Sequence, residues 1–293
     1  MLDLSFIPNS QQDIKIFYAN GGAWQTWQKP RKCNYVWMMC IGGGAGGAAG
    51  ATANNGNAAP GASGAVTRIL YNIQQLPDVL YVQVGVGGIG GVPGSTIGVS
   101  GTRSVVSLQP TVIAQNLVGI SGNVGAVGGN SASSTYAGET PSTQTTATFY
   151  SLGNFISTAG VTTSTIVSSP VNINPLTSQI TCPGAAGGGF SSTPVIVESS
   201  SILATPYSPL ISGGTSTLLP LSNGTNGGDG ITSYKPFFST GGAGGGASVN
   251  GNGGNGGNGG IGSGGGGGGA GVTLSQAGSG GKGGDGLVII ISF

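Results

Sequence analysis

The sequence predicts a mainly β protein: a β-sandwich-like core of short strands, packed with glycine-rich polyproline-II (polyglycine-II) segments, with essentially no α-helix. Glycine makes up 63 of the 293 residues, short strand-like segments alternate with glycine tracts, and no stretch shows helical periodicity. Glycine loses more backbone entropy on ordering than alanine does, by roughly 0.5–1 kcal/mol per residue. A chain this rich in glycine therefore folds only if backbones pack directly against one another.

Strands are predicted first at both ends of the chain. Residues 13–18 alternate between apolar and polar side chains, and Asn20-Gly21-Gly22 is typical of a turn. Residues 34–41 are apolar on both faces, which indicates a central strand that is covered on both sides. Residues 286–293 are also apolar on both faces, and we expect them to lie beside 34–41 in one core.

Further strands are predicted between the glycine tracts, at residues 64–71, 79–84 and 103–108. Residues 130–240 are richer in serine, threonine and proline, and we expect loops and irregular strands there. Residues 241–285 are densest in glycine, and Asn252, Asn255 and Asn258 repeat within them with period three. That period matches the three residues per turn of a polyproline-II helix, whose other two edges would be bare and open to close packing.

Composition argues against an enzyme. There is no histidine, which excludes histidine-dependent triads and the common zinc ligand sets. The seven carboxylates are far apart in sequence. Gly42-x-Gly44-x-x-Gly47 follows a strand, but no amphipathic helix follows it, so it is not a dinucleotide fingerprint. We expect no catalytic residue, cofactor or metal.

The same composition argues against nucleic acid and membrane partners. Eight basic and seven acidic residues give a net charge of +1, whereas phosphate backbones select clustered lysine and arginine. No apolar run reaches the roughly 18 residues of a membrane span, and the first residues do not resemble a signal peptide. The three cysteines are best interpreted as small core residues of a protein that folds in a reducing cytosol.

Four motifs carry a resemblance to a known class of proteins. They are Trp27-Gln-Lys-Pro30, Ile41-Gly-Gly-Gly-Ala-Gly-Gly47, Tyr81-Val-Gln-Val-Gly-Val-Gly-Gly88 and Gly281-Lys-Gly-Gly-Asp285-Gly-Leu-Val-Ile-Ile. Together they resemble the glycine-rich domains of phage tail fibres and virion proteins, over about residues 33–130 and 241–293. The chain is also similar to the receptor-binding adhesins at the tips of T-even-type long tail fibres. Those adhesins stack polyglycine-II helices and place variable segments between glycine motifs to touch outer-membrane receptors.

The resemblance implies a virion structural protein, a surface-exposed fibre or spike-type adhesin that presents loops for host binding on a rigid glycine scaffold. Residues 1–32 would be an N-terminal segment that docks to other virion proteins. Residues 33–293 would be a single domain, with 130–240 as an inserted region that contacts a host cell-surface protein or glycan. The protein would be assembled in the host cytoplasm and displayed on the virion surface. A homo-oligomer, namely a trimer, is compatible with a fibre or spike.

Two other functional classes are compatible with the sequence. A purely architectural minor capsid, vertex or cementing protein would share the scaffold without a receptor role. An ice-binding protein could also use X-Gly-Gly helices, although it would need many regular repeats, and this chain has three Asn-Gly-Gly triplets.

The candidate contact residues are aromatic, because aromatic side chains set in polar loops are effective contact residues. The receptor-contact candidates are Tyr136, Phe149, Tyr150, Phe155, Tyr207, Tyr234, Phe237 and Phe238. The virion-docking candidates are Phe17, Tyr18, Trp24 and Trp27. For any one of these residues, anchoring a loop to the core is the competing interpretation.

Overall fold

A computed structural model describes residues 13–50, 58–94, 98–110, 156–158, 173–175, 180–190, 196–273 and 276–293. The strands are β1 (Asp13–Tyr18), β2 (Trp24–Gln28), β3 (Tyr35–Ile41), β4 (Val66–Asn72), β5 (Val79–Gln83), β6 (Val105–Ser107), β7 (Ile156–Thr158), β8 (Gly189–Phe190), β9 (Ile196–Val197), β10 (Thr232–Tyr234), β11 (Phe237–Ser239) and β12 (Leu287–Ser292). A single turn of 3₁₀ helix covers Ile73–Gln75, and the described residues contain no α-helix. The predicted fold class is confirmed.

Two antiparallel sheets form the sandwich. One has the strand order β1-β12-β3-β4-β7 and the other the order β2-β5-β6. The space between them is filled by a cluster that includes Trp27, Met38, Leu80, Val82 and Ile290. Alternating side chains of each strand face this cluster, as expected for packed antiparallel sheets.

The middle strands of the larger sheet are buried on both faces. β3 pairs with β12 along its whole length, from Val36 opposite Ser292 to Ile41 opposite Leu287. The second face carries Met39, Ile41, Ile289 and Ile291, which pack against residues of the glycine-rich part such as Phe237. The prediction that the C-terminal strand lies beside residues 34–41 is therefore confirmed.

The N-terminal residues are part of the sandwich. β1 pairs with β12 from Asp13 opposite Ser292 to Tyr18 opposite Leu287, and β2 pairs with β5. The predicted turn at Asn20-Gly21-Gly22 lies between them, and both glycines have positive φ. β1 and β2, which lie in the expected N-terminal segment 1–32, are thus edge strands of the two sheets. Residues 1–12 lie outside the described residues.

The glycine tracts form a bundle of extended helices that continues from the sandwich. Each helix donates backbone hydrogen bonds to a different neighbour at each of three successive residues. In residues 42–50, for example, Gly42, Ala45 and Ala48 donate to residues 59–65, whereas Gly44, Gly47 and Gly50 donate to residues 278–284. This period of three is that of polyproline-II geometry, and we call the assembly the glycine bundle.

One helix, residues 263–270, is surrounded on all sides. Its N–H groups donate to residues 182–188, 42–50 and 252–260, over distances between 2.8 and 3.0 Å. Its carbonyls accept from residues 240–248, 58–64 and 278–284. This helix therefore has six hydrogen-bonded neighbours, and its backbone groups are satisfied with almost no help from side chains.

Close backbone approach explains why this central helix is the hexaglycine Gly264–Gly269. A Cβ on Gly266 would overlap the carbonyl of Ala243, and one on Gly265 would overlap the carbonyl of Gly281. Alanine is accommodated where the packing leaves a gap, as at Ala243 and Ala270, both of which are fully buried. Glycine thus occupies positions that a neighbouring backbone approaches closely, and alanine occupies positions where the packing leaves room for a methyl group.

Perimeter helices carry a side chain at every third position. Asn252, Asn255 and Asn258 are exposed, and the glycines between them face the bundle, as the triplet pattern predicted. The perimeter lacks a neighbouring carbonyl for some N–H groups, and side-chain oxygens take its place. Asn226 Oδ1 accepts from Asn255 N over 2.8 Å, and Asn255 Oδ1 accepts in turn from Ser279 N over 2.9 Å.

Candidate functional site

The glycine bundle has one end on the sandwich and one end away from it. Residues 42–50 leave β3 and run outward. Residues 59–65, which accept their hydrogen bonds, run antiparallel to them and therefore return towards β4. The same alternation holds for each later pair of helices. We call the end away from the sandwich the distal end and the end beside it the proximal end.

The distal turns join outgoing helices to returning ones. In the described part of the chain they are residues 92–94, 218–222, 248–251 and 271–273. None of these turns contains an acidic or basic residue. Beside the exposed polar residues Asn250 and Thr273, they expose five large apolar side chains. These are Val92, Leu218, Leu219, Leu221 and Val272. Grouped exposed apolar side chains on a soluble protein mark interaction sites, so the distal turns are the candidate functional site.

Leu221 is the most exposed of these side chains, with 93% of its surface accessible. Its backbone φ is +61°, which is the left-handed region that a leucine rarely occupies. This conformation costs on the order of 1–3 kcal/mol. The turn accounts for the positive φ, because Ser222 N donates to the carbonyl of Leu219 over 3.4 Å and the third residue of such a turn, after the proline, needs a positive φ. Glycine or asparagine is usual at this position, so the leucine is an unusual choice that holds an apolar side chain in water.

Hydrogen bonds hold the distal turns in place. Ser248 Oγ donates to the carbonyl of Ser222 over 2.6 Å and accepts from Gly251 N over 2.8 Å. Asn250 Nδ2 donates to the carbonyl of Leu218 over 3.3 Å. Two adjacent turns are therefore bonded to each other, and their apolar side chains are presented in a fixed arrangement.

The predicted receptor-contact aromatics do not gather at this end. Tyr207 and Tyr234 are exposed but lie in proximal turns. Phe237 and Phe238 are buried, at 4% and 7% exposure, and Phe237 packs against the larger sheet. The remaining candidates, Tyr136, Phe149, Tyr150 and Phe155, lie outside the described residues. The part of 130–240 that is described contributes β7 of the larger sheet, helices of the glycine bundle, and the strand pairs β8–β9 and β10–β11.

The predicted docking residues divide into buried and accessible ones. Phe17 and Trp27 belong to the core between the two sheets, so their side chains offer little contact surface. Tyr18 is exposed and Trp24 is half-buried. Tyr18 contacts Tyr234 of the proximal hairpin: burial raises the pKa of Tyr234, and a hydrogen bond with Tyr18 raises it further. The structure thus joins one docking candidate to one receptor-contact candidate.

Charge and metal-binding groups are sparse in the described part of the chain. Its three salt bridges, Lys15–Asp13, Lys29–Asp78 and Lys282–Asp285, all involve partly exposed groups. Among the described residues no three His, Cys, Asp or Glu side chains come together as a metal site. The three cysteines, all within the described ranges, form no disulfide, and burial raises the pKa of Cys182 to about 12. No helix within the described ranges is long and apolar enough to cross a membrane.

Sequence reasoning missed the leucines of the 218–222 turn. A signal was present, because Leu218-Leu219-Pro220-Leu221 is an apolar run with a proline between segments rich in serine, threonine and glycine. The run has the apolar periodicity of neither a strand nor a helix, and its proline favours a turn. Three leucines in a turn are therefore surface residues, which is the opposite of their usual place.

Comparison with protein families adds one finding. The model of the glycine-rich domain family matches residues 19–292. Comparison with curated proteins gives no match. The matched range begins in the turn before β2 and ends in β12, so it covers nearly the whole sandwich and all of the glycine bundle. The chain therefore belongs to the glycine-rich domain family.

Proposed function

We propose that this protein is a virion structural protein of a phage, a fibre or spike-type adhesin that binds a host cell-surface molecule through the distal turns of its glycine bundle. The observation that carries the proposal is Leu221, a strained and almost fully exposed leucine beside two other exposed leucines. A bundle with backbone-to-backbone hydrogen bonds presents such turns with little remaining freedom, which reduces the entropy lost on binding.

The absence of charge in the described distal turns suggests the chemistry of the receptor. Apolar side chains gain little from a charged glycan but match the uncharged loops of a membrane protein. The host receptor is therefore proposed to be a protein surface of low charge. The virion is proposed to hold the adhesin at its proximal side, through the N-terminal strands and other virion proteins, with the protein on the virion surface.

Binding to host cells tests the distal contact directly. Fluorescently labelled protein is incubated with candidate host strains, and bound label is measured with and without excess unlabelled protein. We expect Leu221→Asp to reduce saturable binding by about tenfold or more, the loss typical of a buried apolar contact. Leu210→Asp is the matched control, because Leu210 is also exposed, at 52%, but lies at the proximal end. Equal binding by both variants would remove the distal turns from the receptor contact.

An architectural role is the second candidate, because exposed leucines also suit a permanent interface between virion subunits. Limited proteolysis of the intact particle beside the isolated protein separates the two. Cleavage at the distal turns in both samples supports the adhesin. Protection of these turns only in the particle supports a capsid-associated or cementing protein.

Trp24 offers a test of attachment. It is the half-buried member of the two tryptophans near the N-terminus, and its loss leaves the Trp27 core in place. We expect Trp24→Ala to weaken incorporation into particles while the isolated protein keeps its near-ultraviolet circular dichroism. Normal incorporation would exclude Trp24 from the attachment surface.

A further inference from the structure

Asparagine followed by glycine is a chemically reactive pair in water. The backbone nitrogen of the glycine attacks the side-chain amide carbon of the asparagine, because glycine has no side chain to hinder that approach. The described part of the chain holds seven such pairs, and one of them is Asn20-Gly21, in the turn between β1 and β2. The other six begin at residues of the glycine bundle and its turns, which we call the bundle asparagines: Asn223, Asn226, Asn250, Asn252, Asn255 and Asn258.

The fold protects the attacking nitrogen in every bundle pair. That nitrogen must lose its proton to react, and in each of the six pairs its N–H already donates a hydrogen bond of 2.7 to 2.9 Å. Gly251 donates to Ser248 Oγ, and the others donate to the carbonyl of a neighbouring helix: Gly224, Gly227, Gly253, Gly256 and Gly259. Reaction in the bundle therefore requires a local opening that breaks this bond.

Four of the bundle asparagines are also held through their side chains. The Oδ1 atoms of Asn223, Asn226, Asn255 and Asn258 each accept from a backbone N–H of the next helix, over 2.8 to 2.9 Å. The carbon that would be attacked belongs to the same amide group, so it cannot turn towards its own glycine while this bond persists. Asn252 lacks such a bond in the described part of the chain, and only the N–H of Gly253 protects it.

Asn20-Gly21 has neither form of protection. Both residues are exposed, and a Cβ placed on Gly21 would have no atom within 4 Å, so the space around the nitrogen is open. Ala23 N closes the turn by donating to the main-chain carbonyl of Asn20 over 2.9 Å. This bond occupies neither reacting group. Within the described ranges, Gly21 N and the side-chain amide of Asn20 have no hydrogen-bond partner.

We propose that Asn20 is a site of spontaneous deamidation, which converts this protein to a second covalent form as it ages. Gly21 N forms a bond to Cγ of Asn20, the bond from Cγ to Nδ2 breaks, and the proton of Gly21 N leaves with Nδ2 as ammonia. Water then opens the cyclic imide. Breaking the bond from Gly21 N to Cγ gives aspartate, whereas breaking its bond to the main-chain carbonyl carbon gives isoaspartate.

Both products change the turn between the two sheets. Each carries one new carboxylate, which cancels the formal net charge of +1 of the chain. In isoaspartate the main chain runs through the side chain and gains one atom between β1 and β2. The carbonyl of Gly22 accepts from Gln83 Nε2 over 2.6 Å in this turn, so we expect the isoaspartate form to alter that contact and to leave the glycine bundle unchanged. This inference does not depend on the proposed function.

Peptide mapping of the intact chain tests the proposal. The protein is kept in mildly alkaline buffer at physiological temperature and digested with pepsin in acid, which adds no deamidation of its own. Mass spectrometry then measures the deamidated fraction at each asparagine. We expect Asn20 to convert at least about tenfold faster than any bundle asparagine, a factor that corresponds to about 1.4 kcal/mol of free energy for local opening. In guanidinium chloride the seven pairs should convert at similar rates, because only the fold distinguishes them.

Two variants of the turn separate the attacking nitrogen from a general effect of charge. Gly21→Asp places a side chain beside that nitrogen, and aspartate tolerates the positive φ of Gly21 better than most residues. Ala23→Asp adds the same charge at another exposed position of the same turn. Gly21→Asp should slow the conversion of Asn20 several-fold, whereas Ala23→Asp should not, and circular dichroism checks that both variants fold. Equal rates at Asn20 and a bundle asparagine in the folded protein, unchanged selectivity in guanidinium chloride, or equal slowing by both variants would overturn the proposal.

Discussion

Replacing Gly266 by alanine adds one methyl group at a position that is surrounded by backbone. Its Cβ would meet the carbonyl group of Ala243, and Gly266 also donates to Gly257 and accepts from Gly281, both over 2.8 Å. Overpacking a core costs about 1–3 kcal/mol, and the upper value applies because a backbone, not a side chain, must move. Losing two hydrogen bonds adds about 1 kcal/mol each. Alanine also lowers the conformational entropy of the unfolded chain, which offsets about 0.4–1 kcal/mol of the lost stability.

The expected net loss is about 4 kcal/mol of the free energy of unfolding, from the sum of these terms. For a domain of this size that corresponds to roughly 8–16 °C in the melting temperature. Urea unfolding followed by tryptophan fluorescence measures the loss. Ser279→Ala is the control, because Ser279 lies at a perimeter position where a side chain is accommodated, and it should change stability by less than about 0.5 kcal/mol. A loss below about 1 kcal/mol for Gly266→Ala would refute the packing argument, since it is well below the overpacking cost at this site.

Three further predictions follow from the same structure. Asn255→Ala should lower the free energy of unfolding by about 1 kcal/mol, measured in urea, because Asn255 Oδ1 accepts from Ser279 N. Asn252→Ala is the control and should be nearly neutral. Equal effects of the two substitutions would contradict the perimeter role of Asn255. Burial raises the pKa of Cys182 from 9.0 to about 12, so between these pH values its thiol is neutral in the folded protein and ionised in the unfolded chain. The contribution of Cys182 to stability is therefore constant below pH 9 and falls above it by about 1.4 kcal/mol per pH unit. The pH dependence of unfolding should therefore be shallower above pH 9 in Cys182→Ala, and identical slopes would exclude the thiol. Deleting residues 286–293 removes the strand between β1 and β3 and should unfold the whole chain, which loss of near-ultraviolet circular dichroism would report.

The sequence predicts the local elements well where side chains alternate or repeat. β3 and β12 are apolar on both faces, and each is covered on both faces in the structure. The Asn-Gly-Gly triplets predict a helix with one exposed edge, and that edge is the perimeter of the bundle. Both predictions depend on information within a few residues of the chain.

The arrangement of the glycine helices could not be predicted. Every glycine tract presents the same bare edges, so composition gives no preference for one neighbour over another. The central position of residues 263–270 depends on six partners that are distant in sequence. In retrospect the hexaglycine is a signal, because only a helix with neighbours on every side excludes side chains from all three edges.

The candidate site was harder to predict for a similar reason. Aromatic residues were favoured as contacts, yet Phe237 and Trp27 are needed to cover the two faces of the larger sheet. Leu221 reaches the surface because its turn lies at the end of the bundle, far from either apolar cluster. The distal turns are those that join an outgoing helix to a returning one. Only the tertiary hydrogen bonds between helices show which helices run outward, so the sequence alone does not identify these turns.

Hydrogen exchange of the Gly264–Gly269 amides, followed by mass spectrometry, measures whether the glycine bundle is rigid. These residues have no side chains to bury, so only the backbone hydrogen bonds of the bundle can protect them. We expect these amides to exchange as slowly as those of β3 and β12, through global unfolding alone. Exchange at the rate of an unstructured peptide would mean that the glycine tract is a flexible linker, and the rigid scaffold proposed for the distal turns would not exist.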